Sequence, residues 1–205
     1  KESHVNFIQS GSGTTLFAPT SMRGVNSKID ITDGTLKVGR DNVFLGAGTK
    51  TNEINIGSNG TLALNGHNAD ALTVTIRLAS DDESANKTLR VLDYTSNNGK
   101  LIVSSVWNND SSTTKSDLLY ITRSATGHTV VETASGYIEG DILRKAHEDA
   151  YSAPVVWDAD INSQATFTGT AKTRNAGEAQ LTKKDRSVYA WTLKAFGHDI
   201  YAAPV

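Results

Sequence analysis

A short unit that recurs constrains this chain more than any other feature. Ile29-Asp30-Ile31-Thr32-Asp33-Gly34-Thr35-Leu36-Lys37-Val38-Gly39 returns as Ile54-Asn55-Ile56-Gly57-Ser58-Asn59-Gly60-Thr61-Leu62-Ala63-Leu64-Asn65-Gly66, with 25 positions between Ile29 and Ile54 and 26 between Gly34 and Gly60. The second copy holds two short alternating runs, Ile54/Ile56 and Leu62/Leu64, split by a Gly-Ser-Asn-Gly corner. Successive side chains of a strand point to opposite faces, so each run offers two residues to a core and one to water. Faces this small cannot stand alone, and a repeated unit must bury them against its neighbours.

Gly-Thr followed by leucine occurs three times, at Gly13-Thr14-Thr15-Leu16, Gly34-Thr35-Leu36 and Gly60-Thr61-Leu62. The inexact period fits strands that keep register while the loops between them vary. The pattern predicts an all-β fold, a right-handed parallel β-helix with coils about 4.8 Å apart. A sandwich of hairpins would set its turn signals about every 8 to 12 residues, with longer strands between. A coil stack has an open end that invites further pairing. The aromatic-rich C-terminal part, with Trp157, Phe167, Tyr189, Trp191 and Phe196, is placed to close it as a hairpin or sandwich-like cap.

Further strands are predicted along the chain. Leu72-Thr73-Val74-Thr75-Ile76-Arg77-Leu78 alternates strictly, and a polar turn at 80–86 separates it from Leu89-Arg90-Val91-Leu92. Then come 101–103, 106–107, 118–121, 129–131, 155–157 and 166–168, with corners at Asn97-Asn98-Gly99 and Ala125-Thr126-Gly127. Residues 142–150 read as a short helix capped by Asp141 and ended before Pro154, or as an irregular insertion. Val188-Tyr189-Ala190-Trp191-Thr192-Leu193, followed by Gly197-His198-Asp199 and Ile200-Tyr201, reads as a hairpin with Tyr189, Trp191 and Leu193 on one face.

Composition narrows the function classes. A net charge of −2, a pI near 6.2 and no Lys/Arg cluster give no attraction to phosphate backbones, so nucleic acid is not an expected partner. The absence of cysteine excludes disulfides, thiolate metal sites and cysteine nucleophiles. No apolar run approaches the roughly 18 residues of a membrane-spanning helix. Lys1-Glu2-Ser3-His4 has no apolar segment behind it, and an internal fragment is expected.

Candidate chemistry is sparse. His4, His67, His128, His147 and His198 are scattered, and His147-Glu148-Asp149, the one dense cluster, reads as a solvated face. Asp81-Asp82-Glu83 lacks the spacing of a calcium loop. Asp158 and Asp160 are two apart, the spacing of one strand face, beside Trp157, but one such pair is short of the carboxylate constellation that glycan cleavage uses. Ser12 lies in no nucleophile motif, and Gly57 and Gly60 are followed by no Lys-Ser/Thr, so they fit corners rather than a phosphate loop. Catalytic, cofactor and metal sites are therefore expected to be absent. The sequons at Asn59, Asn86 and Asn109 are read as chance.

The glycine-cornered repeats, above all 56–66, resemble the passenger domains of Gram-negative autotransporters, the type V secretion family. Ser116-Asp117-Leu118-Leu119-Tyr120-Ile121-Thr122 with Ala125-Thr126-Gly127-His128-Thr129-Val130-Val131 is similar to a signature of the pertactin-like C-terminal passenger module, and 187–193 resembles that module's last hairpin. The resemblance implies β-helical stem coils over 1–115 and an autochaperone cap over 116–205. It implies a non-enzymatic role at the bacterial cell surface, reached through periplasm and outer membrane. There the cap would drive folding and secretion while the stem displays an upstream adhesin or virulence region. Leu118, Ile121, Val130, Tyr189, Trp191 and Leu193 would carry that folding role. The implied partners are the protein's own translocator β-barrel and the outer-membrane assembly machinery, with a host protein of unspecified identity. Two alternatives stand beside it: a polysaccharide-cleaving β-helix enzyme or phage tailspike fragment, and an adhesin that itself binds a host protein.

Overall fold

The computed structural model describes residues 4–17, 26–38, 43–45, 52–63, 86–143 and 147–195. The strand expected over 72–78 and the Asp81–Glu83 turn lie outside them, as do His67, His198 and the expected closing turn at 197–199.

The described residues are all-β, and no α-helix occurs among them. In chain order the strands are β1 (His4–Gln9), β2 (Thr14–Phe17), β3 (Asn26–Val38), β4 (Val43–Leu45), β5 (Asn52–Ala63), β6 (Thr88–Val103), β7 (Ser105–Val106) and β8 (Lys115–Ser116). They continue as β9 (Leu118–Thr133), β10 (Tyr137–Ile138), β11 (Ala150–Asp158), β12 (Thr166–Thr168), β13 (Thr170–Thr173), β14 (Glu178–Lys183) and β15 (Val188–Leu193). One large mixed sheet runs β1-β3-β5-β6-β9-β11-β15-β14-β13-β10, with β2, β4 and β12 alongside β3, β6 and β9. Its ends are not joined to each other among the described residues.

The repeat read from the sequence is the register of this sheet. Ile29 lies opposite Ile54, Gly34 opposite Gly60 and Leu36 opposite Leu62, all in parallel pairing. Thr14 pairs with Thr35, which pairs with Thr61, so the three Gly-Thr corners stack. Leu16 falls one place out of step, opposite Lys37. The corners do not break the strands. Instead the register shifts within the long strands, between Ile31 and Asp33, Ile56 and Thr61, or Asn97 and Gly99. Two corners need glycine. Gly34 and Gly127 have φ of 74° and 84°, and a Cβ on Gly127 would sit 1.9 Å from the Ser96 carbonyl oxygen.

Two rows of side chains cross the sheet through its interior. Ile29, Ile54, Tyr94 and Ala125 form one, and Leu36, Leu62, Leu101 and Val131 the other; all are buried. Each fully buried aliphatic side chain contributes about 1.5 to 3 kcal/mol, so the stack gains with every strand added.

β11 is where the pattern changes. It pairs in parallel with β9, Val156 opposite Leu119, and antiparallel with β15, Val156 opposite Tyr189. From there β15, β14 and β13 run antiparallel to one another. The helix read over 142–150 is not formed: Ile142, Leu143 and 147–149 are irregular, and Ala150 opens β11. Pro154, the expected stop, lies inside that strand. It is exposed and sits where the register with β15 shifts on both sides, so its missing N–H disrupts no regular ladder.

Candidate functional site

The C-terminal strands meet the parallel stack along a seam built around Trp191, and this seam is the candidate site. Trp191 is fully buried on β15. Its backbone N–H donates to the Ser152 hydroxyl of β11 at 2.9 Å, and its indole N–H donates to the Ser105 hydroxyl of β7 at 3.0 Å. Ser116 of β8 also donates to Ser105, at 2.8 Å. One indole thus ties the closing strand to the turn of chain that ends β6.

The same region holds a buried carboxylate. Asp117 is wholly out of solvent, between β8 and β9. One oxygen accepts from the Lys87 backbone N–H at 2.9 Å and the Asn86 side-chain amide at 3.2 Å, and the other from the Ser104 backbone N–H at 2.7 Å. A buried charge is tolerated when it is hydrogen-bonded in this way. Asp117 clasps the start of β6, the end of β6 and the start of β9 at one point.

Aromatic stacking continues the seam. Phe167 of β12 stacks on Tyr94 of the interior row, centroids 5.8 Å apart, and meets Tyr189 edge-on at 5.0 Å. The Tyr94 hydroxyl and that of Thr129 share a hydrogen bond of 2.8 Å. Burial pushes the Tyr94 phenol far above its ordinary pKa, and Tyr189 is raised by burial and by the nearby Asp158 carboxylate.

Of the residues expected to carry folding, Tyr189, Trp191 and Leu193 lie buried together along β15, and Ile121 is buried on β9. They do not form a single exposed-versus-buried alternation, because Ala190 and Thr192 between them are buried too: β15 is covered on both faces. The hairpin seen joins β15 to β14, through a turn at 184–187. Leu118 and Val130 are only half-buried, and the core positions beside them are Leu119 and Val131. The buried roles of Ser105, Asp117, Ser152 and Tyr94 are not marked by the sequence pattern. An acidic residue set directly before an apolar strand, as in Asp117-Leu118-Leu119, is the one signal that could have pointed to them.

Comparison of the chain with family models, with curated proteins and with solved structures finds no match. The site therefore rests on its own geometry. Among the described residues no group of three His, Cys, Asp or Glu side chains could hold a metal ion. Asp158 and Asp160 build the turn after β11, accepting from the backbone N–H groups of Asp160, Asn162 and Ala125 at 3.0 to 3.3 Å. Asp149 of the His147-Glu148-Asp149 cluster accepts from Lys194 at 3.2 Å and from the Ala195 N–H at 2.8 Å. Asp158 and Asp160 thus hold backbone turns, and Asp149 pairs with Lys194.

Proposed function

We propose that this chain is the closing end of a right-handed parallel β-helical stem, and that its cap drives the folding of the stem during export to the bacterial cell surface, as in an autotransporter passenger. The observation that carries this is the change of pairing at β11. Before it every pairing among the described strands of the large sheet is parallel; beyond it β15, β14 and β13 pair antiparallel. Coiling is supported by three separate parallel registers that tie 119–138 to later strands: β9 with β11, β9 with β12 and β10 with β13. Toward the preceding turn, β6 pairs along β9, and Val106 bridges to Glu139 in the same sense.

The physical logic is local. Each coil of a stack contacts mainly its neighbours, so a stable end templates the next coil one step at a time. A chain that emerges from a pore C-terminus first would fold its cap outside, and folding itself would oppose backsliding. No catalysis is assigned to this chain. Its partners would be a translocator β-barrel and the outer-membrane assembly machinery, and an upstream region would carry any adhesive activity.

Surface display provides the test. The chain, joined to an autotransporter barrel in a Gram-negative host, should reach the surface in protease-resistant form. Trp191→Ala with Leu193→Ala should leave it trapped or degraded. Normal display of the double variant would sink the proposal.

A further inference from the structure

Trp191, Tyr189 and Phe167 fill the seam, whereas Trp157 stays 41% exposed in the middle of a sheet. It is not isolated. Arg90, Tyr120 and Trp157 occupy matched positions on the neighbouring parallel strands β6, β9 and β11, one row across the outer face of the sheet. Trp157 and Tyr120 meet edge to face with centroids 4.5 Å apart, and the Arg90 guanidinium lies 5.8 Å from the Tyr120 centroid. Arg90 is exposed and faces no carboxylate among the described residues, unlike Arg123 and Arg174, which pair with Asp93 and Glu139.

We propose that this row binds an acidic glycan. Aromatic faces carry negative charge density and attract the polarised C–H faces of pyranose rings. A guanidinium is a planar fork that matches a carboxylate. The spacing also fits. Two strand separations lie between Arg90 and Trp157, about 10 Å, close to the length of two hexose units in an extended chain. One sugar stacks on Trp157 while the carboxylate of a neighbouring unit meets Arg90. The edge contact with Tyr120 holds the indole in place and limits the ordering cost of binding. This site is independent of the secretion role, which uses the buried residues of the seam.

Titration of the whole chain with oligogalacturonate and alginate oligomers, with cellohexaose as the neutral probe, tests it by calorimetry. Binding of an acidic oligomer is expected, weakened at least about tenfold by Trp157→Ala and by Arg90→Gln. Thermal melting of each variant verifies that the fold is kept, and Arg90→Gln, altering an exposed side chain, keeps the test usable if Trp157→Ala unfolds. Failure of every acidic probe to bind overturns the proposal. So does binding that neither substitution weakens, or cellohexaose binding as tight as that of the acidic oligomers. Self-association of the chain that Trp157→Ala abolishes would instead make the row an interface between copies, and would equally overturn it.

Discussion

The indole N–H of Trp191 donates to the hydroxyl of Ser105 at 3.0 Å, across 86 residues of sequence. Both groups are buried. A contact so distant in sequence forms only when the closing strand has docked on the stack, so this bond reports the seam.

Deleting parts of the bond should cost graded amounts. Trp191→Phe keeps most of the packing and loses the donor, at about 1 to 2 kcal/mol, and Trp191→Ala costs about 3 to 5 kcal/mol. Ser105→Ala orphans the indole N–H and the Ser116 hydroxyl, at about 1 to 3 kcal/mol. The double variant Trp191→Phe, Ser105→Ala should lose less than the sum, because both remove one interaction. Urea unfolding measures all of them, and strict additivity would show that the two residues are not coupled.

Asp117→Ala should destabilise by about 3 kcal/mol or more, since it leaves the buried N–H groups of Lys87 and Ser104 without acceptors. Asp117→Asn keeps one acceptor oxygen and should lose less. The same unfolding experiment ranks them, and an Asp117→Ala protein as stable as wild type would show that the clasp is dispensable.

Alkaline pH should weaken the seam. Tyr94 and Tyr189 have phenols raised by burial, so the fold favours their neutral forms. Their contribution is fully present below the unfolded phenol pKa of about 10 and is lost as pH rises above it toward the folded values. Tyr94→Phe, which forfeits the Thr129 hydrogen bond, should be about 1 kcal/mol less stable near neutrality yet show a shallower decline above about pH 10. Urea midpoints measured across that range decide it; an unchanged slope would contradict the assignment to Tyr94.

Position within the repeat should set the cost of substitution. Leu62→Ala, in the interior row, should cost about 2 to 5 kcal/mol, and Ser58→Ala, exposed at the corner of the same strand, less than about 0.5 kcal/mol. Gly127→Ala should rank with the former, because its φ and the Ser96 carbonyl leave no room for a methyl group. Equal effects at Leu62 and Ser58 would contradict the stacked register.

The repeat made the stack legible, because residues spaced by one unit end up directly opposite each other: Ile29 on Ile54, Thr35 on Thr61. Facing was harder to read at doublets. In Leu118-Leu119 and Val130-Val131 either residue satisfies the pattern, and a bulge that slips the register by one reverses the faces. Register shifts in β9 do occur. β13 and β14 leave little trace in the sequence because their inward residues include the small Ala171 and Ala179, which give a faint alternation. Residues 142–150 mislead for a different reason: the local helical pattern lost to long-range bonds, the Asp141 and Leu143 N–H groups donating to the side chains of Asn108 and Asn109, Asp149 accepting from the Ala195 N–H, and Ala150 pairing with Leu193. Ser105 and Ser152 escape notice because polar residues read as surface until their partner Trp191, far off in sequence, is known.

Pulse-labelling hydrogen exchange during refolding of the whole chain tests the central claim most directly. If the cap forms first and templates the stack, the amides of β11, β14 and β15 gain protection before those of β3 and β5, and Trp191→Ala delays both groups. Protection of β3 and β5 first, or at a rate that Trp191→Ala leaves unchanged, would contradict it.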